Sequence, residues 1–169
     1  MTCYTVKRAF LVGLVLDAVL LAGLVVFSLV KRTFGAEPVI LVIILIPLLF
    51  ILAASLRRRV CITREGCRIS SLFRTVDLSW DGITNIDALA VGKKEYLLLT
   101  TTRGYHVLQN SIGRFISLAE DLIDGVADDR IERAVYAVVE NPLRRISDVL
   151  SVWIAAFILI VIYGIKISL

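Results

Sequence analysis

Three apolar runs, at residues 9–30, 38–56 and 149–165, decide most of what this chain can become. A helix needs about 20 apolar residues to cross the roughly 30 Å hydrocarbon layer of a membrane, and about 17–25 are tolerated. The first run carries one charge, Asp17, the second carries none, and the third ends just before Lys166. Hydrophobic residues make up 58% of the 169, above the roughly 45–50% typical of soluble domains. The sequence therefore predicts an integral membrane protein with three transmembrane helices and one polar insert. Lys7 and Arg8 look like the basic start of a signal peptide. The apolar run behind them is about 22 residues, against about 7–15 in such a leader, and a second span follows at once, so cleavage is not expected.

Lysine and arginine near the spans set the orientation. Lys7, Arg8, Arg57, Arg58, Arg59, Arg144 and Arg145 flank them on the N-terminal side, against Lys31, Arg32 and Lys166 on the other. Seven against three predicts a multi-pass protein of the cell (inner or plasma) membrane, with the N-terminus and residues 57–148 cytoplasmic and the C-terminus outside. Arg57, Arg58, Arg59, Arg144 and Arg145 are the expected membrane-surface basic sites, facing anionic headgroups. The net charge of +4 belongs to these borders, because residues 60–125 hold seven basic and eight acidic side chains. A nucleic-acid partner is not expected. Cys3, Cys61 and Cys67 are read as reduced thiols rather than a disulfide framework, since the last two fall in the predicted cytoplasmic part.

The first two spans, joined by about seven residues, predict an antiparallel helical hairpin, with Pro38 in the first turn of the second helix. After the arginine triplet the texture changes. Residues 60–63 and 67–70 flank Glu65 and Gly66 as a β-hairpin with a two-residue turn. Val76, Leu78 and Trp80 alternate toward a core, and Asp81 with Gly82 signals a turn. Further strands are predicted at 83–90, 96–102 and 105–108, with Arg103 and Gly104 as a tight turn. From Ser111 the apolar period becomes helical through Ile112, Phe115, Ile116, Leu118, Ala119, Leu122 and Ile123, and Gly125 ends the helix. A connector helix from Asp128 to about Glu140 follows, with Ile131, Val135, Val138 and Val139 as its apolar stripe. Asn141 and Pro142 then break the chain, and a helix from Pro142 leads into span three.

Some six short antiparallel strands and one closing helix over 60–125 resemble the small bacterial PH-like domain found in membrane proteins. The features that carry the resemblance are Ile62, the pair Glu65 and Gly66, Ile69, and the run Trp80, Asp81, Gly82, Ile83. It implies an α+β membrane protein: three transmembrane helices plus a small antiparallel-sheet PH-like domain closed by a C-terminal helix. The domains are then a helical hairpin at 1–59, the PH-like domain at 60–125, a connector at 126–148 and a third span at 149–169. The PH name suggests phosphoinositides. However, the first hairpin turn here is short and carries Glu65, so no specific phosphoinositide site is evident, and Arg64, Arg68 and Arg74 read as a solvated strip.

Asp17 is the sharpest candidate. It lies roughly 12 Å into its span at 1.5 Å per residue, where a charge costs about 2.5–3.5 kcal/mol on insertion scales. Ala9, Gly13 and Asp17 share one helix face, whose small residues admit a close neighbour. In an antiparallel hairpin Pro47 sits at matching depth, and its missing amide frees a carbonyl that a protonated Asp17 can satisfy. Asp17, Gly13 and Pro47 thus form an intramembrane polar site, read either as proton- or ion-linked or as a packing contact. His106, the sole histidine, reads as an exposed strand residue. Cys61 and Cys67 fall on opposite faces of their hairpin and cannot share a metal. Trp80 reads as a core anchor, and Trp153 and Tyr163 as interfacial aromatics. With no phosphate loop, nucleophile elbow or paired carboxylates, neither catalysis nor a cofactor is expected. The expected role is a membrane-anchored interaction or scaffold protein whose partners are the bilayer and a membrane or cytoplasmic protein or a second copy. A subunit of a transport or proton-linked assembly using Asp17 is the alternative.

Overall fold

A computed structural model describes residues 1–31, 36–91, 94–102, 104–141 and 147–168. In chain order its elements are β1 (Thr2–Thr5), α1 (Arg8–Val30), α2 (Ala36–Arg57), β2 (Arg59–Ile62), β3 (Gly66–Ser70), β4 (Thr75–Ser79), β5 (Ile83–Val91), β6 (Lys94–Thr101), β7 (Gly104–Gln109), α3 (Phe115–Gly125), α4 (Arg133–Glu140) and α5 (Ser147–Ser168). They divide into two compact units: Met1–Lys7 with Arg57–Arg145, and Arg8–Leu56 with Ile146–Leu169.

The second unit holds α1, α2 and α5, each long and apolar enough to cross a membrane. Without water, a backbone in lipid must satisfy its own hydrogen bonds, which an uninterrupted helix does. The partners differ from the hairpin expectation. The stripe Gly13, Leu14, Asp17, Ala18, Leu21, Leu24 and Ser28 is the buried face of α1, and α1 packs on α5. Trp153 Nε1 donates to the Ala9 carbonyl at 3.2 Å, and a Cβ on Gly13 would lie 2.7 Å from Val152 Cγ1. α2 buries no residue. The cause is visible in composition: residues 39–52 of α2 contain no Gly, Ala or Ser, so this helix lacks the small surface that lets α1 and α5 approach.

The first unit is built from two small antiparallel sheets, ordered β1-β2-β3-β4 and β5-β6-β7. Their inward faces, with α3 and α4, enclose one core that includes Val60, Ile83, Ile86, Leu97, Leu99, Leu118 and Leu122. The described strands form no single closed sheet. Among the described residues seven strands replace the expected six, because residues 2–5, read as a mere flank of span one, pair with β2 from Thr2↔Ile62 to Thr5↔Arg59. Residues 1–7 therefore belong with the sheet unit rather than with the helical hairpin.

That strand overturns the reading of the cysteines. Cys3 lies opposite Cys61 in register, and the two form a disulfide. A closed loop of this size, 58 residues in sequence separation, stabilises by about 4 kcal/mol in the chain-entropy account. Cys67 is buried and unbridged, and burial pushes its thiol up to about 11.

The first hairpin turns one residue earlier than expected. Its register is Ile62↔Cys67 and Cys61↔Arg68, and both the amide and the hydroxyl of Thr63 donate to the Gly66 carbonyl, at 2.8 and 2.9 Å. Arg64 and Glu65 are thus the turn, and Gly66 opens β3 because only a residue without a side chain fits beside β4. The helix expected from Ser111 starts at Phe115, since Arg114 adopts a left-handed conformation at φ 54°. The connector is shorter too. Asp128–Arg130 form a single 3-10 turn, and Ile131 bridges to Ile86 of β5 before α4 begins. Arg32, Arg103, Pro142, Arg144 and Arg145 lie outside the described residues, and with them the helix expected to run from Pro142 into span three.

β1 is fastened to α3 as well as to β2. The Tyr4 hydroxyl donates toward Asp121 Oδ2 at 2.6 Å and the Ser117 carbonyl at 3.1 Å, and Arg114 lies over its ring at 5.5 Å. Behind it, the Gly113 amide donates to the Thr5 carbonyl at 2.7 Å. Burial first, then the Asp121 carboxylate, push the Tyr4 phenol from 10.0 up to about 12. A raised phenol pKa favours the protonated, folded form. Its stability contribution is complete below pH 10 and is lost as pH rises through about 12. Tyr4→Phe is expected to remove that part of the alkaline destabilisation. Denaturant melts of both proteins from pH 8 to 12 check it, and parallel curves would refute it.

Candidate functional site

The outer face of the second sheet carries apolar side chains that no described element of its unit covers. Residues 96–99 of β6 read Tyr, Leu, Leu, Leu, so the pleat must send apolar side chains to both faces. Leu97 and Leu99 enter the core. On the other face the register sets Leu89 beside Tyr96, Leu98 beside Val107, Tyr105 beside Thr100 and Val91 beside Lys94. Leu89, Val91, Tyr105 and Val107 are 48%, 64%, 71% and 42% exposed, while Tyr96 and Leu98 are half-buried. A sheet with one solvated face normally alternates polar residues outward. Large apolar side chains uncovered side by side are uncommon on a monomeric domain, where they otherwise scatter singly. Asp87 and Lys94 are the two charged positions of this face. Sequence reasoning passed over this face, although the four-residue apolar run in β6 is its signal.

Asp17 is 4% exposed on the α1 stripe, and its Oδ1 has no hydrogen-bond partner among the described residues. Gly13, one turn earlier, provides the close approach of Val152. Pro47 is exposed on α2, so the structure joins Asp17 and Gly13 to α5 and leaves Pro47 apart.

The far end of the helical unit carries a polar cluster that the sequence reading missed. Glu37, in the first turn of α2, accepts from the buried Ser28 hydroxyl of α1 at 3.0 Å and pairs with the Lys166 ammonium of α5. Nearby, Lys31 lies 5.0 Å over the Phe27 ring, and Phe27 meets Tyr163 with ring centroids 6.2 Å apart. One carboxylate thus ties three helix ends. The signal was present: Glu37 and Lys166 flank their spans on the same predicted side.

The other candidates fall elsewhere. Arg57 and Arg59 are exposed and Arg58 is half-buried, its guanidinium pKa lowered by desolvation. Arg68 forms a two-pronged pair with Asp77, which removes it from any basic strip. That pair is exposed, so solvent screens it and it adds little to stability. His106 is half-buried and stands opposite Leu99, on the inward side rather than in solvent. Trp80 donates from Nε1 to the Arg64 carbonyl at 3.2 Å, and its ring fills the space a side chain at Gly125 would need. No group of three or more His, Cys, Asp or Glu side chains that could hold a metal occurs among the described residues.

Compared with known proteins, the chain matches no family model, no curated protein and no solved structure.

Proposed function

We propose that this chain is a non-catalytic, membrane-anchored interaction protein whose soluble unit is a PH-like module on the cytoplasmic side of the cell membrane. The four-stranded and three-stranded antiparallel sheets followed by α3 support the PH-like reading. The excess of lysine and arginine on one side of the spans supports the orientation. The observation that carries the function is the uncovered apolar face of β5, β6 and β7. With a single lysine and a balancing aspartate, that face suits a protein surface better than anionic headgroups, which attract clustered basic residues. Sheet edges offer a second mode of capture, through strand addition.

The test replaces Leu89 and Val107 together with lysine. Exposed positions tolerate such changes within about 0.5 kcal/mol each, so the unit is expected to melt as before. Partners cross-linked to the native protein in its membrane, including a second copy, are expected to fall by at least about 100-fold, the loss of roughly 3 kcal/mol of apolar contact. An unchanged cross-linking pattern would sink the proposal.

A second reading makes Asp17 a proton-linked group in a transport assembly, favoured by its enclosed and unpartnered Oδ1. Asp17→Asn separates the two. A packing role leaves assembly and proton flux in reconstituted vesicles unchanged, whereas a proton-linked role abolishes flux with assembly intact.

A further inference from the structure

We propose that Cys3 and Cys61 form a reversible thiol–disulfide latch that fastens the N-terminal strand to its sheet. The proposal rests on the cytoplasmic placement of the soluble unit. The two residues stand opposite each other on β1 and β2, on the face of the sheet away from the core that Tyr4 and Val60 enter. Cys3 is exposed while Cys61 is 5% exposed, so a reductant has one sulfur to attack. Cys67 takes no part: it lies across from Ile62, one position out of phase, and is enclosed in the core. In a cytoplasm that keeps thiols reduced, a cross-strand pair that closes is a transient redox element and not a permanent staple.

The exchange balances with a dithiol as co-reactant. One thiolate of the dithiol attacks Cys3 Sγ, the protein S–S bond breaks, and its electron pair leaves on Cys61 Sγ, which takes up a proton. The second thiol of the dithiol then attacks the mixed disulfide. Cys3 is released and takes up a proton, and the dithiol closes to its own disulfide. Two electrons and two protons pass to the protein, and a disulfide oxidant runs the sequence backward.

The latch changes what holds β1. Once open, this four-residue strand keeps its ladder to β2, the Tyr4 hydrogen bonds and the Thr5–Gly113 bond. Once closed, residues 3 and 61 enclose a covalent ring that contains the whole of α1 and α2. The chain runs from β1 into α1 through Val6 and Lys7.

The test uses the full chain in membrane vesicles, equilibrated with graded ratios of reduced and oxidised dithiothreitol and then with glutathione at a cytosolic ratio. Differential alkylation read by mass spectrometry is expected to show Cys3 and Cys61 appearing together as one two-electron couple, with Cys67 unlabelled until denaturation. Amide protection in Met1–Lys7 is expected to drop at least tenfold on reduction, and in Cys61→Ser under both conditions, with protection in α3 unchanged. Three results overturn the latch: a disulfide that stays closed in reduced glutathione, thiols that never pair under oxidised dithiothreitol, or equal protection of residues 1–7 in both states. A membrane-impermeant maleimide applied to intact spheroplasts tests the placement separately. Labelling of Cys3 in Cys61→Ser from outside overturns the cytoplasmic orientation, and the reversible reading with it, while the vesicle measurement still reports whether the bond forms.

Discussion

Gly66→Ala is expected to destabilise the sheet unit by about 3 kcal/mol or more, at or above the upper end of ordinary overpacking. A Cβ at this position would lie 1.9 Å from the Leu78 carbonyl oxygen and 2.8 Å from the Ser79 Cα. Both are backbone atoms, so no rotamer change relieves the overlap. One of the two strands must move, which breaks the register from Gly66↔Ser79 to Ser70↔Thr75. The melting temperature of a unit this size is expected to fall by more than about 10 °C, followed by near-ultraviolet circular dichroism. Gly82→Ala is the control, because its Cβ would meet only the Ser79 hydroxyl at 3.1 Å, a side-chain atom that can turn away. If the two variants melt together, the close approach of β3 and β4 is not as described.

Gly13→Leu is expected to part α1 from α5. The substituted side chain starts 2.7 Å from Val152 Cγ1, in a contact whose helices are brought together by small residues and van der Waals packing. The loss is about 1–3 kcal/mol of helix association by the usual cost of overpacking. In a background with the native cysteines changed to serine, cysteines at positions 9 and 153 report the pairing through oxidative cross-linking. The cross-linked fraction is expected to fall at least tenfold in Gly13→Leu and to be unchanged in Gly164→Leu, where a Cβ meets nothing within 4 Å. Equal cross-linking in both would show that Gly13 does not set the helix distance.

Apolar length made all three helices of membrane-crossing length legible, because a run of that kind has few other stable fates. The strands over 60–109 were legible through alternation and glycine turns. What escaped was non-local. Residues 2–5 contain no alternation that distinguishes them from a flank, and their identity as β1 depends on β2, which lies beyond both spans. The pairing of Cys3 followed from that one omission. The choice of α5 over α2 as the partner of α1 was hidden for a similar reason: chain proximity favours the hairpin, while the decisive property is where Gly13 and Asp17 point. The shift of the first turn by one residue came from giving Gly66 a turn role when its need was for room beside β4. The outer apolar face was readable in principle, since four consecutive apolar residues in a strand cannot all face one way.

The pairing of β1 with β2 also sets an order of events during synthesis. The first strand leaves the ribosome long before its partner, whose matching cysteine lies 58 residues later. At about 5–20 residues per second that delay is about 3–12 s. Within this interval the whole of α1 and α2 is synthesised. The first sheet therefore completes only in a chain whose residues 1–7 and Arg57 lie on the same side of any membrane that α1 and α2 cross.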